Sequence, residues 1–202
     1  MCRVTFSRRS FLQGSAFALR AIMVKATPTL FSQSEATPAQ APATVAGNAV
    51  ATTLLINGTA HALVIDPRMT LAEVLRGQLG LTGTKIACNR GACSACTVLL
   101  DGSPICSCMM LAVDVGGRPV STIEGLAKGD QLHPVQQAFI DHDAVQCGFC
   151  TPGMIMSCVA LLAQKHEPSA ADVKNAISGH FCRCGTYPHA VTATLAAASA
   201  SS

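Results

Sequence analysis

The chain has 202 residues and a formal net charge of +3; half of its residues are hydrophobic, 4% are aromatic and Trp is absent. That length suits one or two small domains, and so few aromatics argue against a stacking platform for bases or sugars. The positive charge is an N-terminal matter: five cations (Arg3, Arg8, Arg9, Arg20, Lys25) stand in the first thirty residues, while the rest carries nine Lys/Arg against eleven Asp/Glu, which excludes a basic nucleic-acid surface.

Residues 1–41 read as an export signal running into a linker. Ser7-Arg8-Arg9-Ser10-Phe11-Leu12-Gln13 fits the twin-arginine pattern, with Gln13 where Lys is usual. The apolar stretch that follows, Gly14 to Val24, is broken by Arg20 and is too short for a stable membrane span. Ala39-Gln40-Ala41 offers an A-x-A cleavage site, and cleavage nearer Ala46 is an alternative. Residues 42–50 continue as an Ala/Pro/Thr-rich linker. The expected location is therefore the periplasm.

From residue 51 the pattern turns to short strands. Thr52–Ile56 and Ala60–Ile65 flank Asn57-Gly58, a type I′ hairpin signal. Thr70–Gly77 reads as a short helix with Leu71, Val74 and Leu75 on one face. A loop of small residues spans 84–96. Thr97–Leu100 and Pro104–Ser107 then flank a second turn signal, Asp101-Gly102, and Val120–Ile123 reads as a last strand. From about 128 the period becomes helical. His133-Pro134 and Thr151-Pro152 each open a helix with Pro in its first turn. Ser169 to Asp172 forms a capping box closed at the far end by Gly179, and Pro188 opens an Ala-rich last helix. The expected fold is α+β: a β-grasp domain over 51–127 and a four-helix bundle over 128–202.

The chemistry is written in the cysteines. Cys88, Cys93 and Cys96 stand in a C-x4-C-x2-C run, with Cys108 eleven residues further on, which is the order of plant-type [2Fe-2S] ferredoxins. A cluster needs four thiolates converging on two irons, so the close three must come from a loop, where Gly91, Ala92, Ser94 and Ala95 let the backbone wrap it. Cys106 and Cys108 share the end of the second hairpin, and strand alternation puts them on one face; spacing favours Cys108 as ligand and leaves Cys106 a buried thiol. A second set, Cys147-Gly-Phe-Cys150 and Cys182-Arg-Cys184, precedes two helix starts, where the helix dipole and free N–H groups favour thiolates. Cys158 falls inside an apolar helical run and reads as core.

The two sets together, with Gln146-Cys-Gly-Phe-Cys-Thr-Pro-Gly153 and Ser178-Gly-His-Phe-Cys-Arg-Cys-Gly-Thr-Tyr187, resemble the iron–sulfur subunit of molybdenum hydroxylases, the xanthine oxidase/aldehyde oxidoreductase family. Gly83-Thr84-Lys85, Thr122-Ile-Glu-Gly125 and Leu132-His-Pro134 agree with it, and the resemblance spans residues 51–192. With the export signal, the chain looks most like the small subunit of a periplasmic aldehyde oxidoreductase. The resemblance implies two [2Fe-2S] clusters passing electrons from a large partner, which carries molybdenum on a molybdopterin cytosine dinucleotide. A medium FAD subunit or a cytochrome would receive them. It places Gln146 and Cys184 beside the pterin of the partner. Two departures stand out: Ser94 replaces a usual Gly, and His180, read here as an ordinary surface histidine, replaces a usual Asn.

The rival readings are weaker. C-x4-C-x2-C is not a usual zinc spacing, and Cys182-Arg-Cys184 is tight for a tetrahedral site. Cysteines two or three residues apart make poor disulfides. Within the family, an isoquinoline-type or other N-heterocycle or purine dehydrogenase is the alternative to an aldehyde enzyme. No catalytic residue stands out, which suits a subunit that moves electrons and leaves bond chemistry to a partner.

Overall fold

The computed structural model describes residues 48–200; the signal, the cleavage site and the linker up to residue 47 lie outside them. Strands β1 (Val50–Ile56) and β2 (Thr59–Ile65) pair antiparallel, Ile56 opposite Thr59. Asn57 and Gly58 between them take φ of 51° and 81°, the left-handed pair that a type I′ turn requires. Helix α1 (Leu71–Gly77) follows, started by a reciprocal capping box between Thr70 and Glu73. Strands β3 (Thr97–Leu100) and β4 (Ser103–Cys106) pair around Asp101-Gly102, again with both φ positive. Strand β5 (Pro119–Ser121) closes a five-stranded sheet of order β2-β1-β5-β3-β4, parallel to β1 and antiparallel to β3.

One face of the sheet packs on α1 through Leu54, Ile56, Val98, Leu100 and Val120 against Leu71, Val74 and Leu75, all buried. The second half is four helices: α2 (Pro134–Asp141), α3 (Thr151–Gln164), α4 (Ala170–Ile177) and α5 (Tyr187–Ala200). Their core gathers Val135, Phe139, Met154, Cys158, Val173, Ile177 and Ala193. Cys158 is fully buried there and accepts a hydrogen bond from the Thr194 hydroxyl at 3.1 Å. The α+β expectation holds: a ferredoxin-like sheet with one helix, then a helical bundle.

Strand β3 joins the halves. Val98 and Leu100 point into the sheet's core, while Leu99 packs on Met156 and Ala160 of α3. All four residues of β3 are buried, so it serves two cores at once.

Three readings need correction. Strand β4 ends at Cys106, and Ser107–Met109 forms a 3₁₀ turn. The period-2 alternation that would put Cys106 and Cys108 on one face stops between them: Cys108 is buried, and Cys106 only half so. The last strand is Pro119–Ser121, and Ile123–Gly125 is another 3₁₀ turn. Only glycine fits at Gly125, because a Cβ there would strike Asn57, whose side chain accepts from the Thr122 N–H at 2.8 Å and donates to its hydroxyl at 3.0 Å. His180 is no surface residue: it is 4% exposed.

Candidate metal centres

Three thiols of the first set, Cys88, Cys93 and Cys96, sit on the loop between α1 and β3, and Cys108 sits in the 3₁₀ turn after β4. Arg76 of α1 fixes the start of that loop, donating at 2.8 Å to the carbonyls of both Thr82 and Thr84. The Gly83 N–H donates to Glu124 at 2.7 Å, and a Cβ on Gly83 would strike Ile123. Beyond that point the chain turns its N–H groups inward. Ala92 N–H donates to Cys88 Sγ and Gly91 N–H to Cys108 Sγ, both at 3.3 Å. Gly91 takes φ of 71° and packs on Met109, where a Cβ would lie 2.9 Å from Met109 Cγ. Ser94 holds φ of 53°, a conformation glycine adopts at no steric cost, which explains why Gly is usual there.

The thiols stand in pairs. Cys88 contacts Cys93, Cys96 contacts Cys108, and Cys108 feels the charge of Cys88 as well. Backbone N–H of Arg90, then the Cys93 side chain, bring Cys88 down to about 6, while burial pushes Cys108 up to about 11. Cys106 packs beside Cys96 and Cys108, and its Sγ is 3.8 Å from Ser94 Oγ.

The second set is built between helix starts. Cys147 and Cys150 occupy the loop into α3, and Cys182 and Cys184 the loop into α5. Cys150 contacts Cys182 across the gap and feels the charge of Cys147. Burial pushes Cys150 up to about 12. In Cys182 burial is outweighed by the Thr186 hydroxyl and backbone N–H groups, bringing the thiol down to about 7. Cys184 follows on the same loop, half-buried, and Gln146 is exposed beside Cys147. Phe149, Phe181 and Val145 are exposed around these thiols.

All ten described cysteines are free thiols, with no disulfide among them. Among the described residues no three His, Cys, Asp or Glu side chains gather as a single ion would need. Pairs of thiols lined by backbone N–H groups are what two irons would take, two thiolates each. Cys88, Cys93, Cys96 and Cys108 could hold one such cluster, and Cys147, Cys150, Cys182 and Cys184 another.

The two sets meet through the backbone. Phe181 N–H, next to Cys182, donates to the carbonyl of Cys93 at 3.3 Å. A Cβ on Gly153, just after Cys150, would lie 2.4 Å from the Ser94 carbonyl, so only glycine permits this approach. Sequence reasoning missed this junction, and with it His180, whose ring lies against Gly153, Ser157 and Thr97. The only signal was the His in place of the usual Asn.

Comparison with known proteins agrees with this geometry. Residues 54–119 match the 2Fe-2S iron-sulfur cluster binding domain, and residues 122–195 the [2Fe-2S] binding domain. The chain is 44% identical over 149 residues to the 6-hydroxypseudooxynicotine dehydrogenase complex subunit beta of Paenarthrobacter nicotinovorans, covering 73% of this chain and 93% of that one. It is 39% identical over 205 residues to the aldehyde oxidoreductase iron-sulfur-binding subunit PaoA of Escherichia coli O157:H7, covering 94% of this chain and 87% of that one. Among solved structures it resembles quinoline 2-oxidoreductase from Pseudomonas putida 86, with TM-score 0.74 and 42% identity over 76% of this chain and 96% of that one.

Proposed function

Since the chain belongs to the iron–sulfur small subunits of the xanthine oxidase/aldehyde oxidoreductase family of molybdenum hydroxylases, we propose that it serves a periplasmic, aldehyde-oxidising member of that family as its electron-transfer subunit. The junction of the two thiol sets carries the reading: a single hydrogen bond from Phe181 N–H to the Cys93 carbonyl joins a residue next to one set to a residue of the other. Each [2Fe-2S] cluster, when bound, supplies a seat for one electron. The chain's residues do the rest. Cys88, Cys93, Cys96 and Cys108 ligate the first cluster; Cys147, Cys150, Cys182 and Cys184 the second. N–H groups of Gly91 and Ala92 donate toward the first site's sulfurs, which favours the reduced state there.

The partner that donates the electrons is a large molybdenum subunit with a molybdopterin cytosine dinucleotide. The exposed Phe149, Phe181 and Val145 around the second set suit burial against it, with Gln146 and Cys184 toward the pterin. A medium FAD subunit or a cytochrome receives the electrons. Two observations support the aldehyde class and export. The similarity to PaoA covers 94% of this chain, more than residues 48–200 make up, and so reaches into the N-terminal segment. That segment carries the twin-arginine pattern around Arg8 and Arg9. No helix among the described residues is long and apolar enough to cross a membrane.

A second reading, an N-heterocycle dehydrogenase, is favoured by the 44% identity to the 6-hydroxypseudooxynicotine dehydrogenase and nicotine 6-hydroxylase subunits and 42% identity to the quinoline enzyme. One purification decides between them. The native complex should contain a molybdenum subunit, about four irons per small chain, and activity on aldehydes rather than on N-heterocycles. Activity confined to N-heterocycles would select the second reading. Zinc in place of iron would overturn both.

A further inference from the structure

We propose that His180 is the positioning residue for electron passage between the two thiol sites, clamping the contact of Phe181 N–H with the Cys93 carbonyl. This rests on the reading that both sets hold clusters. His180 touches every segment that builds the junction. Its Nε2 lies 3.5 Å from Thr97 Oγ1, on the residue after Cys96, and 3.4 Å from Ser157 Oγ on α3. Its Cδ2 fills the space beside Gly153. The His180 N–H donates to the Ile177 carbonyl at 3.0 Å, ending α4. Its own carbonyl accepts from the Tyr187 hydroxyl at 2.8 Å, and that hydroxyl oxygen in turn accepts from the Cys182 N–H at 2.7 Å.

The residue is thus bound on the ring side to the first half and to α3, and on the backbone side to the loop of the second set. Phe181 is its immediate neighbour, so the ring's seat fixes where the Phe181 N–H points. The ring is also an expensive filler. His180 is 4% exposed and its Nδ1 has no hydrogen-bond partner. An apolar side chain would occupy this space without stranding a polar atom. A ring that bridges two hydroxyls on two different elements does what an apolar side chain cannot: it sets the angle as well as the spacing of the two loops. The step it serves is the passage of one electron, one site oxidised and the other reduced by it, with no bond made or broken.

The test compares native, His180→Ala, His180→Gln and Thr97→Val chains in the intact complex, by iron content and by EPR of the dithionite-reduced protein. His180→Ala should keep about four irons per chain yet lose the magnetic splitting that arises when two nearby reduced clusters sense each other. His180→Gln, which returns a polar group near the position of Nε2, should restore it. Thr97→Val, which removes one partner of the ring, should weaken it. Unchanged splitting in iron-replete His180→Ala overturns the proposal. If that variant fails to fold, unchanged splitting in Thr97→Val overturns it. A native chain without iron would instead overturn the cluster reading itself.

Discussion

The two thiol sets of this chain hold the same number of cysteines in opposite ways. In the first, three thiols come from one loop and the fourth from a 3₁₀ turn, and the loop's own N–H groups reach the sulfurs. In the second, two pairs precede α3 and α5, so the position of each pair depends on where a helix packs. Yet each set combines a thiol held low, Cys88 at about 6 and Cys182 at about 7, with one that burial pushes up, Cys108 to about 11 and Cys150 to about 12. The lesson is that thiolate chemistry does not prescribe a scaffold. A local loop is self-sufficient, and a site between helices borrows its geometry from a core.

The comparison breaks most sharply on the ligands. Cys88→Ser and Cys150→Ser should each reduce iron from about four to about two per chain, removing one EPR signal and leaving the other. Cys106→Ser should leave both signals, because the 3₁₀ turn gives the buried position to Cys108. Loss of both clusters in either ligand variant would show that the halves do not fold independently of each other's metal.

Core truncations sharpen it next. Phe139→Ala, at a fully buried position of α2, should cost roughly 3–5 kcal/mol and make the second cluster bleach before the first on heating. Leu54→Ala, equally buried on β1, should cost roughly 2–5 kcal/mol and reverse the order. Differential bleaching followed by circular dichroism in the visible range checks both.

A pH arm comes third. Burial raises the thiol of Cys158 from 9.0 to about 11, so its contribution to stability is complete below pH 9.0 and is lost as pH rises through about 11. Two units amount to roughly 2–3 kcal/mol. Cys158→Ala should therefore show a flatter alkaline decline in thermal midpoint than the native chain. The smallest effect is expected at the helix cap: Thr70→Ala removes the capping box of α1 and should cost about 1 kcal/mol, read as a small drop in the thermal midpoint.

What was legible in the sequence was whatever rests on local geometry. Asn57-Gly58 and Asp101-Gly102 announce their turns because few residues take positive φ on both sides of a turn. Ser169 and Asp172 announce a helix start, and the cap is reciprocal as expected. The cysteine spacing announced two sets, and within them the structure brings Cys88 to Cys93, Cys96 to Cys108 and Cys150 to Cys182. Contacts between distant segments were not legible. That β5 lies parallel to β1 and antiparallel to β3 depends on the whole path of the chain. The end of β4 at Cys106 depends on Ser107, whose hydroxyl and N–H both turn to the Cys96 carbonyl. His180 was misread because one histidine in a loop carries no period, and its burial comes from Thr97, Gly153 and Ser157.

Strand β3 has a further consequence. It hydrogen-bonds to β4 on one edge and β5 on the other, and its two faces are covered by α1's side of the sheet and by α3. No partial opening of one half uncovers it. Amide protons of Val98 and Leu100 should therefore exchange with solvent only when the sheet and the bundle come apart together, which makes their exchange rate a direct gauge of the global unfolding free energy.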